Sequence, residues 1–328
     1  MYKLKAFILL FAFALIGFVP AQAQRVESDS KLIGKWDLTI NMDEDQIENL
    51  GLFRHGLMAS DGFPGWLQVK LSGFSTLVGY YVGYEGSARP IAEIQYDADK
   101  DKYHFTIPPQ WMDIEDLYFE FSLKDDKLTG YQMLKGNKLE WTGVRAPSLE
   151  RTEPPVWGNP VNLITETMDK WIIPENCKFQ MIDGVMVNTE SGGNLVSIQK
   201  FDDFKLHVEF RYPAGSNSGI YLRGRHELQI EDSKGRTDEV SIGGIYGFIA
   251  PAVYAANAPG EWQTYDVTLV GRHVTVSLNG TEVISNRPIP GITGGSLDSK
   301  EGEPGPFQIQ GDHGPVEFRK FVVTPSVN

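Results

Sequence analysis

The chain has 328 residues, of which 41% are hydrophobic and 22% charged, so it is long enough for two globular domains with separate cores. A formal net charge of −13 repels a phosphate backbone, and we therefore expect no nucleic-acid partner. The 34 glycines and 19 prolines, without long runs of helix-forming residues, favour short strands and tight turns.

The first 23 residues have the order of a cleavable signal peptide. Lys3 and Lys5 precede an apolar run from Phe7 to Val19, and Ala21–Ala23 supplies the small residues of a cleavage site. The apolar run is short for a membrane span, although an uncleaved N-terminal anchor is the alternative. We therefore expect a periplasmic or secreted protein with no stable membrane insertion. One cysteine excludes an internal disulfide.

Alternating apolar and polar residues recur at short intervals between residues 32 and 145, as in half-buried strands. Turn-forming Gly, Asp, Asn and Lys residues separate these segments. The pattern predicts a small antiparallel β barrel, with a short helix over residues 43–57 crossing its mouth. The predicted strands cover residues 35–40, 66–71, 77–82, 90–96, 103–107, 119–123 and 138–141.

Four prolines between residues 146 and 160 predict a linker, followed by a second domain over residues 161–328. This second region opens with a hairpin around Asp183-Gly184 and continues as short strands. About a dozen strands with few helical segments predict two packed sheets, in a jelly-roll or lectin-like sandwich. The whole chain is thus predicted to be all-β. The later strands cover residues 195–199, 204–212, 218–223, 226–231, 262–270, 273–278, 281–285, 307–310 and 316–323.

The segment over residues 218–232 carries polar side chains on one strand face and apolar ones on the other. One face carries an aromatic ring, two arginines, carboxylates and an amide, and such groups suit a hydroxylated ligand. The alternative is an ordinary sheet face exposed to solvent. The odd positions are Tyr221, Arg223, Arg225, Glu227, Gln229 and Glu231.

A second polar strand runs through residues 307–310, and its glycine-bounded end carries His313 beside Asp312. His226 and His313 are candidate acid–base groups, because a histidine titrates near neutral pH. Tyr246 lies among glycines, as in a loop shaped for a ligand. These features predict a carbohydrate site on one sheet of the second domain.

No pattern typical of a zinc site is present. Glu231 and Asp232 could bind a divalent cation through their oxygens, although their spacing does not require one. Glu227 and Glu231 also resemble the paired carboxylates on the Glu-x-Asp-x-Glu strand of laminarinase-type glycosidases, which suggests a conventional glycoside hydrolase as an alternative. Residues four apart on a strand are roughly 13 Å apart at the backbone, and a retaining pair needs about 5.5 Å.

Residues 160–325 resemble the 3-keto-disaccharide hydrolase family. The resemblance rests on several short motifs: Phe201–Leu206, Asn217–Ile220, Glu227–Ile230, Asp232-Ser233, Ile245–Gly247, Pro259–Trp262, Leu278–Gly280 and Val316–Arg319. It implies a concanavalin-like jelly roll that cleaves glycosides already oxidised at sugar C3, by removal of the C2 proton and elimination of the aglycone.

The resemblance also implies roles for seven residues. Its catalytic positions match Glu227, Asp232 and His313, and its substrate-binding positions match Arg223, Gln229, Tyr246 and Gln310. Which of them is the base stays open. A non-catalytic carbohydrate-binding module is a further alternative, because lectin-like sandwiches often bind without catalysis.

Overall fold

The structure is a computed structural model that describes residues 31–50, 62–110 and 115–328. The predicted signal peptide and the second half of the predicted helix over residues 43–57 lie outside these ranges. Within the described ranges, no helix is long and apolar enough to cross a membrane.

The first part of the chain forms a closed barrel of eight antiparallel strands in sequence order, in which β1 pairs with both β2 and β8. A short helix, α1 (Glu44–Leu50), follows the first strand and contributes buried Ile47 and Leu50. The strands are β1 (Gly34–Ile40), β2 (Phe63–Ser72), β3 (Thr76–Val82), β4 (Arg89–Asp97), β5 (Lys102–Ile107), β6 (Leu117–Lys124), β7 (Lys127–Leu134) and β8 (Asn137–Arg145).

The predicted small barrel is confirmed, with one strand more than the sequence pattern indicated. Strand β7 has a broken alternation because Gly130 and Gln132 take inward positions. A Cβ at Gly130 would lie 2.4 Å from Cβ of Phe121, so β7 packs close to β6. Inside the barrel the Tyr81 hydroxyl donates to Gln132 Oε1 at 2.8 Å, which satisfies the buried amide oxygen.

The second part forms two antiparallel sheets packed face to face. One has the order β10-β13-β20-β15-β16; the other has the order β11-β12-β21-β14-β17-β18-β19, with β9 paired to β21. The strands are β9 (Val161–Asn162), β10 (Trp171–Ile172), β11 (Phe179–Ile182), β12 (Val185–Asn188), β13 (Leu195–Phe201), β14 (Phe204–Arg211), β15 (Asn217–Leu222), β16 (His226–Glu231), β17 (Gln263–Val270), β18 (His273–Leu278), β19 (Thr281–Pro288), β20 (Gly305–Ile309) and β21 (Val316–Pro325).

One continuous apolar core lies between the two sheets. The five-stranded sheet contributes the apolar even-numbered residues of β15 and β16 and the apolar odd-numbered residues of β20, among them Ile220, Leu228 and Phe307. Phe307 contacts Phe204 and Phe321 of the opposite sheet edge-on, with ring centroids 4.8 and 5.2 Å apart. The prediction of an all-β chain with a barrel and a jelly-roll sandwich is confirmed.

The proline-rich segment over residues 146–160 packs along the sandwich. The Arg272 side chain donates to the carbonyl of Pro147 at 2.6 Å, and Arg151 pairs with Asp202 and Asp203 at 2.7 and 2.6 Å. Trp157 forms a bridge with the last strand region at Ser326. The chain between barrel and sandwich is therefore held by several contacts along its length.

The barrel also contacts the sandwich directly. Trp66 and Val82 of the barrel form a small buried cluster with Ile292, and Trp66 meets Phe248 edge-on at 5.4 Å between ring centroids. A Cβ at Gly291 would lie 2.2 Å from Cε2 of Trp66, so only glycine leaves room for the indole there. This interface lies beside the cleft described next.

Candidate active site

A cleft of about 420 Å³ opens on the outer face of the five-stranded sheet. Its floor comes from β15, β16 and the end of β20, and loops of the sandwich and one loop of the barrel form its walls. The lining residues are Glu85, Gly86, Asn194, Asn217, Tyr221, Glu227, Gln229, Tyr246, Gly294, Gly295, Gln310, Asp312 and His313.

The hairpin of β15 and β16 places the floor residues. In its register Tyr221 stands opposite Glu227 and Gly219 opposite Gln229, and the apolar residues between them point into the core. The three-residue turn between the strands begins with Arg223 at a φ of 54°, followed by Gly224 at 67°. Gly219 is required for space, since a Cβ there would lie 2.5 Å from Oε1 of Glu227.

Glu227 is buried on the floor of the cleft, with 4% of its surface exposed. Burial raises the pKa of its carboxyl to about 8, against the opposing effects of the Tyr221 hydroxyl and the His313 charge. The Tyr221 hydroxyl lies 3.0 Å from Glu227 Oε2 and 3.0 Å from the carbonyl of Gly294. It can donate to the ionised carboxylate or turn to the carbonyl when Glu227 is protonated. Such a carboxyl can accept a proton near neutral pH.

His313 stands at the rim, with 47% of its side chain exposed. Its Nδ1 lies 2.7 Å from Oδ1 of Asp312, and this hydrogen bond is the main reason that the pKa of the imidazole is raised. The Asn194 side-chain oxygen accepts from the backbone N–H groups of Gly311 and Asp312 at 2.7 and 3.3 Å, which holds the loop in place. The rim therefore presents a group that can carry and donate a proton.

Neutral polar side chains surround the two titrating groups. Within the described chain no group donates to the buried oxygens Oε1 of Gln310 and Oδ1 of Asn217, so both lack a hydrogen-bond partner. Gln229 Oε1 accepts from the N–H of Ile230 at 2.9 Å, which leaves its Nε2 as the group to offer the cleft. Burial raises the pKa of Tyr246 to about 12, so its hydroxyl stays protonated. Such a lining matches the hydroxyls and oxo groups of a sugar.

Five of the seven predicted site residues meet in this cleft: Glu227, Gln229, Tyr246, Gln310 and His313. Arg223 and Asp232 do not. The Arg223 guanidinium is buried and donates to the carbonyls of Asp202 and Gly271 and to Asp203, because the turn carries it beyond the strand face. The Asp232 carboxylate accepts from the N–H of Gly215 at 2.9 Å, past the end of β16.

Two further candidates also lie apart from the cleft. Glu231 accepts from Ser233 and Arg236 at 2.8 and 2.5 Å, so it does not face Glu227 as a catalytic partner. His226 donates from Nδ1 to the carbonyl of Gly291 at 3.1 Å, and burial among arginines lowers the pKa of its imidazole well below the usual value. Over the described ranges, no group of three or more His, Cys, Asp or Glu side chains is placed to hold a metal ion.

Several residues that line the cleft carried no predicted role. Tyr221 lies on the predicted polar face, and its place opposite Glu227 depends on the hairpin register. Asn194, Asn217 and the Glu85-Gly86 pair come from distant parts of the chain. Asn217 belongs to one of the motifs of the family resemblance, whereas Asn194 and Glu85-Gly86 are typical of an ordinary loop.

The fold and the cleft define a β protein with a closed barrel, a jelly-roll sandwich and a polar cleft on the sandwich. Residues 159–324, just over half of the chain, match the model of the 3-keto-alpha-glucoside-1,2-lyase-like domain. The chain belongs to this family, in agreement with the resemblance found in its sequence, and the membership supports a carbohydrate-active function. No curated protein matches the chain.

Several solved structures are similar. A protein from Parabacteroides distasonis ATCC 8503, provisionally named a glycosyl hydrolase, is 27% identical over 53% of this chain and 92% of that one, with a TM-score of 0.45. A second protein from that organism, named in the same way, is 18% identical over 52% and 94%, with a TM-score of 0.41. Trypanosoma rangeli sialidase is 11% identical over 80% of this chain and 60% of its own, with a TM-score of 0.36.

Proposed function

We propose that the protein is an enzyme that cleaves 3-keto-glycosides, including 3-keto-disaccharides, with Glu227 as the base. The observation that carries this proposal is the buried Glu227 carboxyl, with a pKa of about 8, on the floor of a cleft that also presents His313 and several neutral hydrogen-bonding groups. The family match supports the substrate class.

The chemistry follows from the ketone. A carbonyl at C3 acidifies the C2 proton, and Glu227 removes it. The electron pair left at C2 forms a C1=C2 double bond as the C1–O bond breaks, and the aglycone oxygen leaves with that bonding pair. Protonated His313 gives its proton to the leaving oxygen. Water can then add to C1 while C2 regains a proton, so that the net reaction is hydrolysis.

The neutral groups have two tasks in this reaction. Amide donors such as Nε2 of Gln229 would polarise the C3 oxygen, where negative charge develops as the C2 proton departs. The oxygens of Gln310 and Asn217 would accept from sugar hydroxyls and so fix the ring.

The decisive experiment compares Glu227→Gln with Glu231→Gln as a matched control. The Glu227 variant should lose turnover of a 3-keto-glucoside by at least about 1000-fold and keep its fold, whereas the Glu231 variant should retain most of it. Wild-type enzyme in D2O should also place deuterium at C2, and should leave an ordinary glucoside intact. Normal turnover by Glu227→Gln would remove Glu227 from the mechanism.

Two other functions give different results in the same assays. A conventional glycoside hydrolase would cleave the ordinary glucoside and would need both Glu227 and Glu231, although Glu231 is held by Arg236. A carbohydrate-binding module would bind the keto-sugar and release no product. The cleft geometry, with one buried carboxyl and one rim imidazole, favours the elimination reaction.

We also propose that the mature chain begins near Gln24 and acts in the periplasm or outside the cell. The basic, apolar and small-residue order of the leader supports this proposal. N-terminal sequencing of the exported protein should find a start near residue 24. Met1 retained in a membrane fraction would contradict it.

A further inference from the structure

The loop between β3 and β4 of the barrel forms one wall of the cleft. Glu85 and Gly86 line the same cavity as Glu227 and His313, although they belong to the other half of the fold. The N–H of Gly295 donates to the carbonyl of Tyr84 at 2.7 Å, which joins this loop to the opposite wall of the sandwich. The family match begins at residue 159 and does not include this loop.

The barrel loop is closely packed against the sandwich. A Cβ at Gly294 would lie 2.2 Å from the carbonyl oxygen of Gly86, and a Cβ at Gly247 would lie 2.9 Å from the nitrogen of Ala88. Ala88 of the loop packs against the buried cluster of Trp66, Val82 and Ile292. The loop therefore cannot move from the cleft without exposing apolar surface, so the position of Glu85 is set by both halves of the fold.

The charges of the cleft are unevenly distributed. Three carboxyl groups, those of Glu85, Glu227 and Asp312, share the cleft with one basic side chain among its described lining residues, His313. Asp312 contacts the imidazole at 2.7 Å, and the charges of Glu227 and Glu85 further raise its pKa. These three acidic groups come from different elements, and only Asp312 is adjacent to His313 in sequence.

We propose that the barrel completes the active site, with Glu85 as a positioning residue whose carboxylate stabilises the cationic form of His313. The proposal rests on the proposed function only for its catalytic consequence. His313 must be protonated to give a proton to the leaving oxygen. The Glu85 carboxylate keeps His313 protonated up to a higher pH. A solitary sandwich domain would lack this group.

The first test does not depend on activity. In the full-length protein, the ring resonances of His313 are titrated by NMR and assigned by their loss in His313→Gln. Glu85→Gln should lower the pKa of His313 by on the order of 0.5 unit, because one nearby negative charge is removed at constant shape. The control is Glu140→Gln, an exposed barrel residue outside the cleft that should leave the titration unchanged. Equal titrations in both variants would overturn the proposal.

The second test uses the pH profile of turnover of a 3-keto-glucoside. Glu85→Gln should lower by the same amount the apparent pKa of the profile that is assigned to His313, and Glu85→Asp should restore it. A Glu85→Gln profile that superimposes on wild type would refute the proposal. If no variant turns over the keto-sugar but the His313 titration still shifts, the proposed function fails and the role of Glu85 stands.

Discussion

Tyr221 and Glu227 stand directly opposite each other in the β15–β16 hairpin, with 3.0 Å between the tyrosine hydroxyl and Oε2 of the carboxyl. This hydrogen bond lowers the pKa of Glu227, against the larger effect of burial. The pair thus sets the pH at which the proposed base becomes ionised.

Without the Tyr221 hydroxyl, Glu227 should become ionised only at higher pH. We expect Tyr221→Phe to raise the pKa of Glu227 by on the order of one unit, because the ionised form loses a donor. Turnover at pH 7 should then fall about 10-fold and recover towards wild type at pH 9. The kcat/KM profile measures the shift as a change in the apparent pKa assigned to Glu227, with Tyr131→Phe on the barrel as the control. A profile identical to that of wild type would mean that the hydroxyl does not act on Glu227.

Gly219 should be essential for the position of Glu227. In Gly219→Ala the new Cβ would lie 2.5 Å from Oε1 and 2.8 Å from Cγ of Glu227, so the carboxyl must move. A displacement of this size should reduce kcat by about 100-fold. Gly302→Ala is the matched control, since its Cβ meets nothing closer than 3.5 Å. Circular dichroism should show both variants folded, and full activity in Gly219→Ala would contradict the geometry.

A buried acid pair between the two halves should make stability depend on pH. Asp37 in β1 is 5% exposed, and burial together with Glu301 raises the pKa of its carboxyl to about 9. The folded state therefore holds a proton that the unfolded chain releases near pH 3.8. This contribution to stability is fully present below that value and declines as the pH rises towards 9.

Asp37→Asn should remove that dependence. The amide keeps the shape of the protonated acid and can donate to Glu301, so the variant should match wild type near pH 4 and exceed its stability at pH 9. Urea unfolding at both pH values measures the difference, with exposed Asp99→Asn as the control. A variant less stable than wild type at pH 9 would show that Asp37 is ionised in the folded protein.

The two halves are predicted to fold separately. Among the described residues, the apolar core of the sandwich comes from residues 155–328. Expressed alone, this segment should unfold cooperatively as a β protein, although the loss of Trp66 and Val82 exposes Ile292 and Phe248. Calorimetry of the segment and of the full chain measures the effect. An unfolded product would show that the interface is required for the sandwich.

Most strands of this protein could be predicted from sequence because alternation is a local property. In β14, β16 and β18, inward apolar residues recur at every second position with polar residues between them. This alternation can be recognised from the sequence alone. Strand β7 was missed where that local signal fails, since the inward Gly130 and Gln132 are accommodated only by contacts with Phe121 and Tyr81 from other strands.

The same alternation located the polar face that carries Glu227 and Gln229. The surrounding glycines drew attention to Tyr246 and His313, and the family resemblance implied their roles. Only the tertiary structure decided which polar groups meet. Arg223 falls on the odd-numbered positions that define the polar face. However, the turn at its positive φ directs its side chain to Asp203, away from the cleft. Glu85 has no signal of its own, because its place beside Glu227 and His313 arises from packing between residues far apart in sequence. The pKa of Glu227 depends on burial and on charges from residues that are distant in sequence. Its direction could therefore be derived only from the tertiary structure.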